Sequence, residues 1–317
     1  MRSGELQLKV EKTLAFYRNS ILYQLRGWRA NVLPVYPDRP VFVIGCSRAG
    51  TTLVYKTLSL SNGLGTLNRE THDLWAQLHS LDSRNWESHC LFKHDAVKKD
   101  ERFISNYFYS RTGKLRFVDK NNQNGLCVDY LNALFPQALF VYVTRNPGDN
   151  IHSLIEGWRR ADEYATWSDN LPATVDIDGG MFSRWCFFLF PGWREYVDSP
   201  IEAVCAEQFR SINKSILSSS RKITQDRFFR IEYERILEDP VDSFRGLYDF
   251  CGVPFTEELK THSQTVLQHP YNAFSAIKRN KWLDSDNVKR IKSVLPRVEE
   301  VAKAMGYEPA DYMRSEV

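Results

Sequence analysis

The chain has no C-x-x-C pair, no apolar run long enough to span a membrane and no large excess of either charge. Each absence removes a class of function. Its six cysteines (Cys46, Cys90, Cys127, Cys186, Cys205, Cys251) are scattered over 317 residues, which argues against a disulfide framework and predicts reduced thiols in a cytoplasmic compartment. Cysteine and histidine nowhere take metal-ligand spacing, so no metal is expected. The first residues lack the apolar core of a signal peptide, and no transmembrane segment is expected. Lys+Arg 42 against Asp+Glu 39 leaves a net +3, too balanced to predict a nucleic-acid partner. Basic residues therefore act locally.

What the sequence does contain is a strand, a tight loop and a helix start at Val41-Phe42-Val43-Ile44-Gly45-Cys46-Ser47-Arg48-Ala49-Gly50-Thr51-Thr52. The frame from Gly45 to Gly50 matches the opening of the phosphate loop G-x-x-x-x-G-K-[ST], but Thr51 stands where the lysine belongs. Loop amides and a helix N-terminus would still hold a phosphate, and Arg48 supplies a cation inside the loop. A ligand with fewer consecutive phosphates than a triphosphate is expected.

The rest of the chain alternates strand and helix patterns. Residues 51–61, 96–110, 126–135 and 147–158 have helical spacing, and a further helix is expected from about Thr71. Residues 115–118, 138–143 and 227–231 read as strands, the second apolar throughout as befits a strand buried on both faces. This order predicts an α/β fold, a parallel sheet flanked by helices with a P-loop-like loop. Residues 1–39 form an N-terminal amphipathic helix with a proline-rich lead-in, and residues 40–317 form one domain. In that helix Val10, Leu14, Tyr17, Ile21, Leu25 and Trp28 step by three or four among Lys9, Lys12, Arg18, Arg26 and Arg29. The expected role is packing on its own domain or on a sister subunit, as in a homo-oligomer, with peripheral membrane or partner contact as the alternative. Residues 161–180, with Asp162, Glu163, Asp169, Asp176 and Asp178, read as a solvated loop or a lid. The aromatic residues 183–196 read as core or as an acceptor pocket.

Ligands of open parallel sheets sit outside the carboxyl ends of the strands. That rule gathers Arg48 to Thr52, Lys120, Arg145 and Tyr233 at one edge, with a cation at three of these places. An anion site follows from placement alone.

At these residues the chain resembles the sulfotransferases that use 3′-phosphoadenosine 5′-phosphosulfate (PAPS). Gly45-Cys46-Ser47-Arg48-Ala49-Gly50-Thr51-Thr52 is similar to the family's phosphosulfate loop P-R-S-G-T-T, with Ser47 and Ala49 departing from it. Thr144-Arg145-Asn146-Pro147, with Ser153 eight residues beyond Arg145, resembles the 3′-phosphate clamp. Tyr233-Glu234-Arg235-Ile236-Leu237-Glu238-Asp239-Pro240 resembles the segment near the adenine. The resemblance is nearest to the tyrosylprotein and carbohydrate type, and extends from about Pro40 to about Trp282.

It implies transfer of a sulfuryl group from PAPS to an acceptor hydroxyl, leaving 3′-phosphoadenosine 5′-phosphate (PAP), without a metal. It implies Glu70, in Asn68-Arg69-Glu70-Thr71-His72, as catalytic base, and Lys120 with Arg48 facing the sulfuryl group. Nucleotide binding falls to Arg48, Ala49, Gly50, Thr51, Thr52, Arg145, Ser153 and Tyr233, with Lys281 closing from the basic stretch Ser275, Lys278, Arg279, Lys281. His72, His89 and His94 are rival bases. Two other readings stay open on the sequence alone. An ATP-dependent kinase would need a lysine at position 51 and a magnesium carboxylate; a non-catalytic nucleotide-binding protein would need neither.

Overall fold

The computed structural model describes residues 3–161, 171–268, 271 and 277–313, and within the first helix the side chains of Thr13 and of Tyr17 onward. Asp162, Glu163, Asp169, Ser275 and the side chains of Lys9, Val10, Lys12 and Leu14 lie outside the described residues.

Four parallel strands form the centre: β1 (Val41–Gly45), β2 (Val118–Lys120), β3 (Leu139–Thr144) and the strand Phe228–Glu232, in the order β2-β1-β3-(228–232). Their side chains alternate between two cores, the period of two that a pleated strand imposes. Phe42, Ile44, Phe140 and Tyr142 join one apolar cluster with the helices α5 (Val128–Leu134), α6 (Pro147–Trp158), Ile201–Ser220 and Val288–Ala304. Val41, Val43, Leu139, Val141 and Val143 join the other, with α2 (Thr51–Leu58) and the helix Pro240–Cys251. Every residue of β1 and β3 is buried, so an uninterrupted apolar run is what these positions require.

Because the strands are parallel, their carboxyl ends share one edge. Val43 pairs with Lys120, Gly45 with Val143, and Thr144 with Glu232. The strand expected at 115–118 is shifted: the ladder takes Val118–Lys120, Phe117 bridges Gly65, and Leu115 is exposed. Lys120 is the last residue of the ladder.

Of the two roles expected for the aromatics of residues 183–196, core is the one found: Trp185, Phe187, Phe188, Phe190 and Trp193 are buried core. The expectation for the first helix needs correction. In the long helix α1 (Ser3–Val32), the apolar stripe does not pack on the domain: Ile21, Leu25 and Trp28 are exposed. The helix instead docks Ala30 toward α4 (Lys98–Thr112), whose Asn106 and Arg102 donate to the carbonyls of Ala30 and Asn31. A small residue and two unpaired helix-end carbonyls explain that choice of face. The segment 161–180 also carries more than a loop, since Val175–Ile177 and Gly180–Phe182 pair as an antiparallel hairpin.

Candidate active site

The loop after β1 keeps its shape through two glycines. Gly45 (φ +151) and Gly50 (φ +100) adopt backbone angles that side chains disfavour. A Cβ at Gly50 would stand 2.4 Å from the Tyr233 ring, and one at Gly45 would stand 2.6 Å from the Val143 carbonyl oxygen. Arg48 itself lies in the left-handed region (φ +67), which turns the loop back toward α6. Asn150 of α6 donates to the Ser47 carbonyl at 2.8 Å. Gly50 caps α2 without any side-chain acceptor, leaving the first amides of that helix for an anion.

Arg145, at the end of β3, and Ser153, two turns into α6, converge on this loop. Arg145 donates Nη1–H to the Arg48 carbonyl at 2.9 Å and stacks over the Tyr233 ring at 4.6 Å. Arg48 donates Nε–H to Ser153 Oγ at 3.3 Å. Arg145 is buried, and its Nε has no hydrogen-bond partner. A buried guanidinium with an unspent donor beside open helix amides fits a phosphate-bearing ligand. The clamp is braced from behind: the Asn146 amide donates to Glu234 Oε1 at 2.9 Å, and Tyr307 donates to Glu234 Oε2 at 2.7 Å.

Lys281 approaches from the far side of the chain. Asp149 of α6 accepts from the amides of Asn280 (2.8 Å) and Trp282 (3.2 Å), and the Trp282 ring is fully buried. Burial, then the neighbouring Arg145, pulls the Lys281 ammonium down to about 8. Lys278 pairs with Asp284 at 2.5 Å and Arg279 pairs with Glu238. Of the described basic stretch, Lys281 is the member that faces the clamp.

A second group of charges sits at the end of β2. Lys120 Nζ contacts Glu70 Oε1 at 2.5 Å, and His72 Nε2 stands 3.0 Å from Glu70 Oε2. Thr71 donates to Asp119 Oδ1 at 2.9 Å, and Asn124 donates to Asp119 Oδ2 at 2.9 Å, so residues 70–71 are pinned against β2. Burial alone would raise the Glu70 carboxyl; Lys120 and His72 outweigh it and hold it down at about 2. Burial keeps His72 neutral, lowering it to about 4 against the pull of Glu70.

The Asn121 side-chain oxygen accepts from the Gln123 amide at 3.1 Å, which turns its NH2 toward His72 Nδ1, also 3.1 Å away. That contact makes Nδ1 the acceptor and places the ring proton on Nε2. The other two histidines are committed elsewhere. His89 Nδ1 accepts from the Leu189 amide at 2.7 Å, and His94 is exposed beside Asp95.

A profile of the sulfotransferase family matches residues 40–186 and 179–257, taking in the loop, the Glu70–Lys120 pair and the clamp. The chain belongs to the sulfotransferase family. Its fold is that of sulfotransferase STF9 from Mycobacterium avium (TM-score 0.50, 15% identity, 86% of this chain and 78% of the other). Mouse sulfotransferase SULT7A1 complexed with PAP is also similar (TM-score 0.43, 14% identity, 86% of this chain and 91% of the other). A protein of Aquifex aeolicus (strain VF5) with no assigned function is 22% identical over 281 residues, 82% of this chain. The chain spans about a third of that relative's length, 31%.

In this member of the family, the loop, Lys120, Arg145 and Tyr233 meet at one edge as strand order requires, and Glu70 joins them. Arg48 lies on the Arg145–Ser153 side rather than beside Lys120. Sequence reasoning missed Asp149, Asp119 and the His72–Asn121 contact. Asp149 had a local trace in Asn146-Pro147-Gly148-Asp149, where the Asn146 side chain caps the Asp149 amide. The other two depend on chain segments about 50 residues apart and leave no local pattern.

Proposed function

We propose that this chain moves a sulfuryl group from PAPS to an acceptor hydroxyl, releasing PAP. The observation that carries the reading is the Glu70–Lys120 contact at the same sheet edge as the Arg48–Arg145–Ser153 cluster and the open amides of α2. PAPS brings an activated sulfuryl group whose departure leaves a phosphate.

The loop residues Ala49, Gly50, Thr51 and Thr52 would bind the 5′-phosphate with backbone amides. Arg145, Ser153, Arg48 and Lys281 would surround the 3′-phosphate, with Tyr233 walling the nucleotide. Lys120 Nζ neutralises negative charge developing toward the leaving oxygen. Glu70 Oε2 receives the acceptor proton, with the His72 ring 3.0 Å away. At about 2 the carboxyl is a weak base while it holds Lys120 as its counter-ion. Once Lys120 shares its charge with an anionic ligand, Glu70 loses part of its counter-charge and its proton affinity rises. A carboxylate base would fit the tyrosylprotein and carbohydrate type.

Turnover is tested with radiolabelled PAPS and a panel of phenols, sugars and tyrosine peptides. The reading requires PAP formation that depends on a hydroxyl acceptor and is abolished in Lys120→Ala. PAP formation unaffected by Lys120→Ala would refute it.

A further inference from the structure

Helix α1 leaves an apolar face uncovered. Ile21, Leu25, Trp28 and Val32 are 57%, 59%, 70% and 61% exposed, and Leu33 and Tyr36 continue the patch at 55% and 70%. Their spacing of four, three and four places them within about 60° of one another at roughly 100° per residue. Ala30, the buried contact to α4, falls on the opposite side of the helix. Packing on the domain therefore does not account for the stripe.

The charges carried by residues 13–37 have one sign. From Thr13 to Pro37 the chain contains no Asp or Glu, while Arg18, Arg26 and Arg29 fall in that span. Arg18 and Arg29 are exposed on the flank of the stripe, and Arg102 and Arg111 are exposed on the neighbouring α4. Arg111 lies 5.2 Å over the Tyr23 ring, on the α4 side of the helix and away from the stripe. Two identical copies joined through this face would bring these arginines together. An apolar stripe with tryptophan and tyrosine, flanked on its helix by Arg18 and Arg29, complements an interface with apolar depth and anionic headgroups.

We propose that α1 lies on the surface of an anionic phospholipid bilayer, with Ile21, Leu25, Trp28 and Val32 buried among the acyl chains and Arg18 and Arg29 at the headgroups. This is a peripheral attachment: among the described residues no helix is long and apolar enough to cross a membrane. It does not depend on the proposed sulfuryl transfer.

The experiment is co-sedimentation of the full chain with vesicles of phosphatidylcholine alone or mixed with phosphatidylglycerol, beside sedimentation velocity without lipid. The expected result is pelleting with the mixed vesicles, weakened by salt and by the double variant Leu25→Ser/Trp28→Ser. Arg18→Glu/Arg29→Glu should weaken it by on the order of tenfold or more. All altered side chains are exposed, and unchanged melting of both variants confirms folding. Equal pelleting with neutral vesicles, or none with either, would overturn the proposal. So would a dimer in solution that Leu25→Ser/Trp28→Ser dissociates, which would assign the face to a second copy.

Discussion

Glu70 and Lys281 are the two side chains whose surroundings make the sharpest demands at the residue scale. Glu70→Gln keeps the shape of the carboxylate and removes its basicity. It should lower kcat by about 100- to 10,000-fold while bisphosphate affinity stays within a few-fold. Steady-state kinetics beside calorimetry separates the two. The folded carboxyl sits at about 2 against an ordinary 4.5. Its contribution to stability is therefore complete above pH 4.5 and is lost as pH falls through about 2.

Lys281 behaves in the opposite sense. Its ammonium is held at about 8 in the free protein against an ordinary 10.5, so folding favours its neutral form between those values. A bound phosphate would restore the proton. Adenosine 3′,5′-bisphosphate should bind with proton uptake near pH 8, and its affinity should fall by up to about tenfold per pH unit above that. Titrations in buffers of different ionisation enthalpy measure the uptake, and Lys281→Met should abolish it.

At the scale of elements, the active site depends on backbone that cannot tolerate a side chain and on a segment tied down at one carboxylate. Gly50→Ala would force a Cβ into the Tyr233 ring at φ +100. The expected cost is about 1–3 kcal/mol in a denaturant melt, with weaker bisphosphate binding as the loop shifts. Asp149→Ala would leave the amides of Asn280 and Trp282 without their acceptor. Hydrogen exchange should then quicken at 280–284 and leave α2 unchanged, and the bisphosphate should bind more weakly because Lys281 is no longer held.

These elements also show what a sequence can reveal. β3 and α6 were legible because an apolar run, a capping Asn146 and Pro147 each act within a few residues. β2 was misplaced because Arg116-Phe117-Val118 is as strand-like as the true ladder, and pairing with β1 rather than propensity sets its register. The outward stripe of α1 was hidden for a similar reason. Periodicity marks an apolar face but does not say which face meets the domain.

On the scale of the whole molecule, the parallel order of four strands turns distant residues into one site. Arg48, Lys120, Arg145 and Tyr233 lie far apart in sequence, and common strand direction brings them to one edge. That placement followed from the order of elements. The Glu70–Lys120 contact did not, because residues 59–71 are largely irregular and contacts distant in sequence, among them the Thr71–Asp119 bond and the Gly65–Phe117 bridge, fix where Glu70 arrives.

The central claim is that this edge is built for a nucleotide carrying separate 3′- and 5′-phosphates rather than a triphosphate. Calorimetric titration of adenosine 3′,5′-bisphosphate against ATP with magnesium tests it most directly. The account predicts tight binding of the bisphosphate without metal, weakened on the order of 100-fold in Arg145→Ala, and weak binding of ATP with magnesium. Preference for ATP with magnesium, or bisphosphate binding indifferent to Arg145→Ala, would contradict it.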